Sequence, residues 1–267
     1  MKKYLSLFRI RFIHGLQYRA AAWAGVSTQF AWGSMTILMF WAFYQNSGNR
    51  FPMTFHQLST YIWLQQAFLS LFMSWYFDND IFESIIRGHV AYELCRPVDI
   101  YTMWFLKNMS VRLSRAVLRC MPILIAAVFL PKPFSVSPPA DLTGALMFFV
   151  SISLGFLLMV AFSMLIYITA FTTISPLGIR ILAVSTLEFF TGAIIPLPFF
   201  PEGLQKIMAI LPFAYMQSTP FLIYNGFIKG PDILIGVLLQ MIWLLMLILT
   251  GRTLMKKALK KVVIQGG

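Results

Sequence analysis

The stretch Leu142–Phe171 contains about 30 residues and no charged side chain. Few protein folds contain an uncharged stretch of this length. A helix needs about 18–20 apolar residues to cross a ~30 Å hydrocarbon core. Composition agrees, because 11% of the chain is charged and 59% is hydrophobic, whereas soluble domains have about 25% charged residues. The alternating ~10-residue strands of a membrane barrel are absent. We therefore predict an all-α membrane protein.

Apolar runs predict six transmembrane helices in a single transmembrane domain over residues 1–267. The fifth run breaks at Pro196 after about 15 residues, roughly 22 Å of helix, which is short for a crossing. The predicted spans are 21–44, 57–77, 101–130, 142–171, 181–195 and 233–250.

The segment 196–228 is apolar but interrupted by prolines, so it cannot be one continuous helix. Broken backbone at membrane depth is tolerated where protein or a water-filled cavity covers it. We predict two short re-entrant helices on the outer side. The pair Pro201–Glu202 suits the start of the first of them.

Residues 1–19 predict an amphipathic helix lying in the headgroup plane, with anionic lipids as partners. An ordinary basic leader before the first span is the alternative. At 100° per residue the side chains form two arcs. The polar arc is Lys2, Lys3, Ser6, Arg9, His14 and Gln17, and the apolar arc is Leu5, Phe8, Phe12 and Leu16.

The positive charges are distributed unequally between the two predicted sides of the membrane. Only Arg50, Lys132, Lys206 and Lys229 of the 21 lysines and arginines lie on one side, which leaves 17 on the other. Cytoplasmic segments carry the excess of Lys and Arg. We therefore place both termini in the cytoplasm of a multi-pass protein of the cell membrane. This distribution accounts for the net charge of +12 without any nucleic-acid partner.

The segment 78–99, between predicted spans two and three, carries five of the nine acidic residues. Asp80 and Glu83 have the spacing of a helix N-terminus, and Phe82, Ile85 and Ile86 would form an apolar patch. One interpretation is a solvated loop that only reverses the chain. The other is a docking element that transmits force from a soluble partner into the membrane.

Five charged residues lie within predicted spans: Lys107, Arg112, Arg115, Arg119 and Glu188. Arg112, Arg115 and Arg119 follow i, i+3, i+7 spacing and share one helix face. They form either a snorkelling anchor or the basic wall of an inner vestibule for an anionic headgroup or substrate. Glu188 is either hydrogen-bonded or paired to another helix, for instance to the arginines, or it shapes a translocation path.

Motifs for nucleotide binding and hydrolysis are absent from the sequence, including G-x-x-x-x-G-K-[ST], G-x-S-x-G, H-E-x-x-H and C-x-x-C. We therefore expect a non-catalytic chain with no cofactor or metal of its own. Three functions are compatible with these features: a transport permease, a membrane scaffold or assembly protein with a cytoplasmic partner, and an ion-coupled secondary carrier. The lack of a visible inverted repeat makes the carrier a weaker interpretation.

Two local patterns resemble one family. They are I-R-G-x-V-x-x-x-L-x-R-P at Ile86–Pro97 and G-x-x-x-P-L-x-x-x-P at Gly192–Pro201, followed by Leu211–Pro212. In this order the chain resembles the six-span membrane subunit of ABC exporters of the second permease type, with the type V fold. The resemblance implies two copies of a separate ABC ATP-binding subunit that holds ATP and Mg. It also implies a second permease copy or a paralogous permease.

The resemblance further implies roles for particular residues, while the substrate stays open. A coupling helix at Ile81–Leu94 would fit a groove on the ATPase, and the re-entrant helices would form an outer gate. The coupling residues are Phe82, Glu83, Ile85, Ile86, Arg87, Gly88, His89, Glu93 and Arg96. The gate residues are Pro196, Pro198, Pro201 and Pro212, and the path candidates are Glu188, Arg112, Arg115 and Arg119.

Overall fold

A computed structural model describes residues 2–47, 51–139, 141–173 and 176–260. Its described part is built from α-helices and one short 3-10 helix at Leu197–Phe199, without any strand. The α-helices are α1 Lys2–Leu16, α2 Arg19–Ser47, α3 Phe55–Ala67, α4 Leu69–Phe72, α5 Asn79–Ile86, α6 Val90–Leu94, α7 Ile100–Val128, α8 Leu142–Thr169, α9 Pro176–Phe190, α10 Glu202–Ile210, α11 Ser218–Tyr224 and α12 Pro231–Leu259.

Two of these helices, α8 and α12, are long and apolar enough to cross a membrane by length and composition, in a search of the described residues. Helices α2 and α7 are equally long, at 29 residues each, or about 43 Å. Polar side chains in α2 and four basic side chains in α7 lower their apolar character. The predicted all-α class is confirmed, while the six crossings stay a prediction.

Helix α8 lies at the centre of the fold. Leu158, Val160, Ala161 and Met164 have no exposed surface, and α8 packs against α7, α9, α11 and α12. At Gly155 the carbonyl of Met216 comes so close that a side chain would collide with it. The uncharged run that first indicated a membrane protein therefore forms the core against which the other helices pack.

The predicted span 57–77 is not one helix. Helix α3 has 13 residues, about 20 Å, and ends at Phe68; the four-residue α4 follows, and residues 73–78 are non-helical. The start of α3 is fixed by a reciprocal pair of hydrogen bonds between Thr54 and Gln57. The break contains neither proline nor glycine, and the donor that satisfies its free carbonyls lies on α7, as described below.

Helix α1 runs alongside the first half of α7 in the same direction, rather than lying apart from the bundle. Near its start, the backbone N–H of Asp99 donates to the Tyr4 hydroxyl (2.8 Å), and near its end Gly15 lies against Ser114. On the predicted apolar arc, Phe8, Phe12 and Leu16 are half-buried, whereas Leu5 is 70% exposed and the neighbouring Tyr4 is half-buried. The placement of this arc in the headgroup plane stays a prediction.

The segment 196–228 contains the two predicted short helices, α10 and α11. Helix α10 begins at Glu202 directly after Pro201, as the sequence predicts. The bundle holds this segment by polar contacts: the Tyr61 hydroxyl lies 3.4 Å from the Ser218 hydroxyl, and the Gln240 amide donates to the carbonyl of Tyr215 (2.7 Å) as well as to that of Ser151 on α8 (3.0 Å).

Candidate functional site

The segment between α4 and α7 folds into two short helices, α5 and α6, with Gly88 between them. Gly88 has φ of 72°, a left-handed conformation that ends a helix and favours glycine. The predicted continuous helix Ile81–Leu94 is therefore wrong. The predicted cap is also displaced, because Asp78 rather than Asp80 precedes α5 and accepts a hydrogen bond from the Asp80 N–H (3.0 Å).

One side of α5 packs into the bundle. Ile81 and Phe82 are 2% and 4% exposed. The Phe82 ring lies 5.1 Å from the ring of Tyr167 on α8 and 6.0 Å from that of Phe77. The expected docking role of Phe82 does not fit this position, since its ring belongs to the protein's own core. A short amphipathic helix can present its apolar side either to the protein or to a partner, and here it faces the protein.

Ion pairs and hydrogen bonds tie the start of α5 to α7 and α8. Lys107 lies 2.9 Å from the carboxylate of Asp78 and 3.3 Å from that of Asp80. The Asp78 backbone N–H donates to the Tyr167 hydroxyl at 2.7 Å. Because the Lys107 and Asp78 side chains are 14% and 10% exposed, this pair is largely shielded from water. Sequence reasoning counted Lys107 only as a cytoplasmic charge.

Two further contacts connect the same element to α9 and to the end of α8. Arg180 on α9 donates to the Asn79 side chain (3.1 Å) and lies 5.3 Å from the centre of the Phe82 ring. Trp104 on α7 donates to the Glu93 carboxylate at 2.7 Å and stacks on Phe171. A displacement of α5 or α6 would therefore also displace the side chains of α7, α8 and α9 that contact it.

The opposite side of the element is exposed and carries both apolar and charged groups. Ile86, Tyr92 and Leu94 are 58%, 72% and 42% exposed. We call this surface the α5–α6 face; it consists of Glu83, Ile86, Arg87, Gly88, His89, Tyr92, Leu94 and Arg96. Of the other predicted coupling residues, Ile85 and Glu93 are half-buried. Tyr92 and Leu94 were not among the predicted coupling residues, although large apolar residues in a charged segment between two predicted spans were a usable signal.

Arg112 is fully buried and satisfies the broken end of the second predicted span. Neither predicted alternative for this residue, snorkelling anchor or vestibule wall, describes that position. Its guanidinium donates five hydrogen bonds, to the carbonyls of Leu71 (3.1 Å), Met73 (2.8 Å) and Tyr76 (3.1 Å) and to the side chains of Asn108 (2.7 Å) and Ser163 (3.3 Å).

The other two arginines of this face line a cavity of about 640 Å³ together with α1 and the start of α2. Arg115 lies 4.5 Å from the centre of the Tyr76 ring. Arg119 reaches the Ala21 carbonyl at 3.5 Å. The cavity lies beside α1, and the role of these two arginines as the basic wall of an inner vestibule stays a prediction.

Glu188 is half-buried on α9 and accepts a hydrogen bond from the Ser74 hydroxyl at 3.1 Å. Its partner is therefore in the non-helical segment after α4 and not on the arginine face. Its assignment to a translocation path stays a prediction.

The four gate prolines lie at turns and helix ends. Pro196 and Pro198 begin the 3-10 helix, Pro201 precedes α10, and Pro212 starts the turn that leads to α11. Pro198 is buried against the bundle, as is Pro212. Their role in an outer gate stays a prediction.

The family model described as ABC-2 family transporter protein matches residues 30–266. Comparisons with curated proteins and with solved structures gave no match. The matched region includes the α5–α6 face, the arginine face and the proline-broken segment. The chain therefore belongs to the ABC-2 transporter family and is a permease of an ABC transporter.

Proposed function

We propose that this permease works in an ATP-driven exporter, in which a separate ABC ATP-binding subunit docks on the α5–α6 face. ATP and Mg are held by that partner, and this chain supplies the path and the docking surface. Two ATPase copies and two permease chains, either identical or paralogous, complete the complex. Both termini and the α5–α6 face lie in the cytoplasm of a cell that carries the complex in its plasma membrane.

The observation that carries the proposal is that one element, α5–α6, is exposed on one side and held by three helices, α7, α8 and α9, on the other. Tyr92 and Ile86 offer apolar surface, of the kind that supplies binding energy at protein interfaces. Lys107 and Tyr167 fix the start of α5 to α7 and α8. Through these contacts, a movement of the exposed side of α5–α6 would be transmitted to α7 and α8.

Export then follows from alternating access between the two permease chains. Closure of the ATPase pair moves α5 and α6, and with them α7, α8 and α9. Helices α10 and α11, together with the prolines around them, form the outer gate. Glu188 lies beside the non-helical segment that follows α4, and this position supports its assignment to the path.

Substituting Asp for Tyr92 and for Ile86 tests the docking surface. Each substitution places a carboxylate in an apolar contact, and hot-spot residues contribute about 2 kcal/mol or more. We therefore expect about 30-fold weaker binding of the ATPase to the purified permease and loss of its stimulated ATP hydrolysis. Leu254→Asp is the control, because Leu254 is 41% exposed near the end of α12 and outside the α5–α6 face.

The unfolding temperature of each variant should match that of the unsubstituted protein, because both side chains are exposed. Unchanged ATPase affinity and stimulation in the Tyr92 and Ile86 variants would contradict the proposal. Membership of the ABC-2 family favours this function over the membrane scaffold and the ion-coupled carrier.

A further inference from the structure

The cavity beside α1 is enclosed by elements from distant parts of the sequence. Helix α1 supplies Arg11 and His14, helix α7 supplies Arg115 and Arg119, and the segment Tyr76–Asp80 closes one side. Its volume of about 640 Å³ lies within the ~300–1,000 Å³ range of small-molecule sites. The cavity therefore has room for a phosphate group and its neighbouring headgroup atoms.

The charges around the cavity favour an anion. Its two carboxylates, on Asp78 and Asp80, are both within 3.3 Å of the Lys107 ammonium. In the described part of the chain, Arg115 and Arg119 have no carboxylate within 4.0 Å. Uncompensated arginines in a partly dry site bind phosphate well, because the planar guanidinium donates paired hydrogen bonds to it.

The backbone adds to this preference. Helix α2 begins at Arg19, and Tyr18, Ala21 and Ala22 from its start line the cavity. The N–H groups of Arg19 and Ala22 already donate to the carbonyls of Gln17 and Tyr18, so at most the remaining N–H groups of this first turn add to the attraction for negative charge. The main attraction therefore comes from the arginine side chains.

The exposed aromatic side chains around the cavity indicate its depth. Tyr18 and Trp23 are 58% and 64% exposed next to the start of α2, and such residues concentrate at the membrane–water interface. The apolar surface of α2 continues beyond them with Trp32 and Met35. An anion at this depth is more readily supplied by a lipid headgroup than by bulk solution.

We propose that this cavity binds the phosphate group of an anionic lipid headgroup, with Arg115 and Arg119 as its main ligands. The bound headgroup bridges α1 and α7 at the segment that leads into α5. It therefore stabilises the permease itself, whether or not the ATPase is present. This separates the proposal from the coupling function, since the two can fail independently.

The test measures thermal unfolding of the purified permease in nanodiscs of phosphatidylcholine, with and without added phosphatidylglycerol. We expect phosphatidylglycerol to raise the unfolding temperature of the unsubstituted protein. Native mass spectrometry should show retained phosphatidylglycerol. Its retention should weaken about tenfold for each arginine removed, because each substitution removes one good charge-assisted contact. Arg115→Gln with Arg119→Gln should abolish the shift. The double Lys substitution should keep part of it, because the charge remains.

Arg9→Gln is the matched control, since Arg9 is an exposed arginine of α1 that does not line the cavity. Its shift should equal that of the unsubstituted protein. Three results would overturn the proposal: a full shift in the double Gln variant, an equal loss in Arg9→Gln, or an equal shift from inorganic phosphate in phosphatidylcholine alone. The last would assign the site to a free anion. If the double Gln variant unfolds, the double Lys variant is used in its place. Retention of phosphatidylglycerol by the double Lys variant that is no greater than its retention of phosphatidylcholine would also contradict the proposal.

Discussion

Replacing Arg112 by methionine should lower the free energy of unfolding by at least about 4 kcal/mol, enough to remove most folded protein. The guanidinium makes five buried hydrogen bonds, and hydrogen bonds to charged groups contribute about 1.5–3 kcal/mol each, although not additively. Three of the acceptors are the backbone carbonyls of Leu71, Met73 and Tyr76, at and after the end of α4. Methionine at position 112 would leave these carbonyls unpaired in a dry interior. Fluorescence-detected size exclusion after heating measures the loss.

Arg112→Lys should recover only part of this stability, because an ammonium cannot reproduce the planar fork that reaches both Leu71 and Tyr76. Arg96→Met serves as the control, since Arg96 is exposed and lies in the α5–α6 face. We expect it to change unfolding by less than about 0.5 kcal/mol. If Arg112→Met were as stable as Arg96→Met, Arg112 would not hold the broken span together.

Replacing Lys107 by glutamate should cost about 3–5 kcal/mol, the range for breaking a buried ion pair. The change puts a third carboxylate beside Asp78 and Asp80, which now lie 2.9 Å and 3.3 Å from the ammonium. Because these residues hold α5 against α7, stimulation of the ATPase should be lost even in protein that stays folded. Thermal unfolding and ATP hydrolysis are measured on the same preparation.

Exchanging the charges, by combining Lys107→Glu with Asp78→Lys, should restore most of the stability. About 1 kcal/mol should remain lost, because Asp78 also caps α5. The control is Arg87→Glu, which disrupts an exposed pair with Glu83 at 3.7 Å and should cost well under 1 kcal/mol. A charge exchange no more stable than Lys107→Glu would show that this pair does not hold the element in place.

Helix positions could be predicted where a local signal sets them. The uncharged run becomes α8, and Pro201 with Glu202 starts α10. The interruption of the second predicted span could not be predicted, because no proline or glycine marks it. Arg112, which lies about 40 residues later in the sequence, satisfies the free carbonyls of Leu71, Met73 and Tyr76 at and after the end of α4.

In the candidate site, too, local signals predicted some features, and long-range packing determined the others. Which segment forms the polar element between the second and third predicted spans could be inferred from its charges, and Gly88 divides this element into two helices. Which side of α5 faces the bundle could not, because Phe82 and Ile86 are both apolar and only the position of Tyr167 decides between them. Tertiary packing, not local pattern, sets the identity of the α5–α6 face.

The most direct test of coupling through the α5–α6 face uses the exposed Cys95, which lies between Leu94 and Arg96 of that face, with the half-buried Cys120 replaced by serine. A thiol-directed photo-crosslinker is attached at Cys95 in membranes that contain the permease and its ATPase, and the cross-linked products are identified by mass spectrometry. The account predicts a covalent adduct between Cys95 and the ATP-binding subunit whose yield changes when ATP is added. Adducts confined to lipid or to extracellular protein, with the ATPase present and functional, would contradict it.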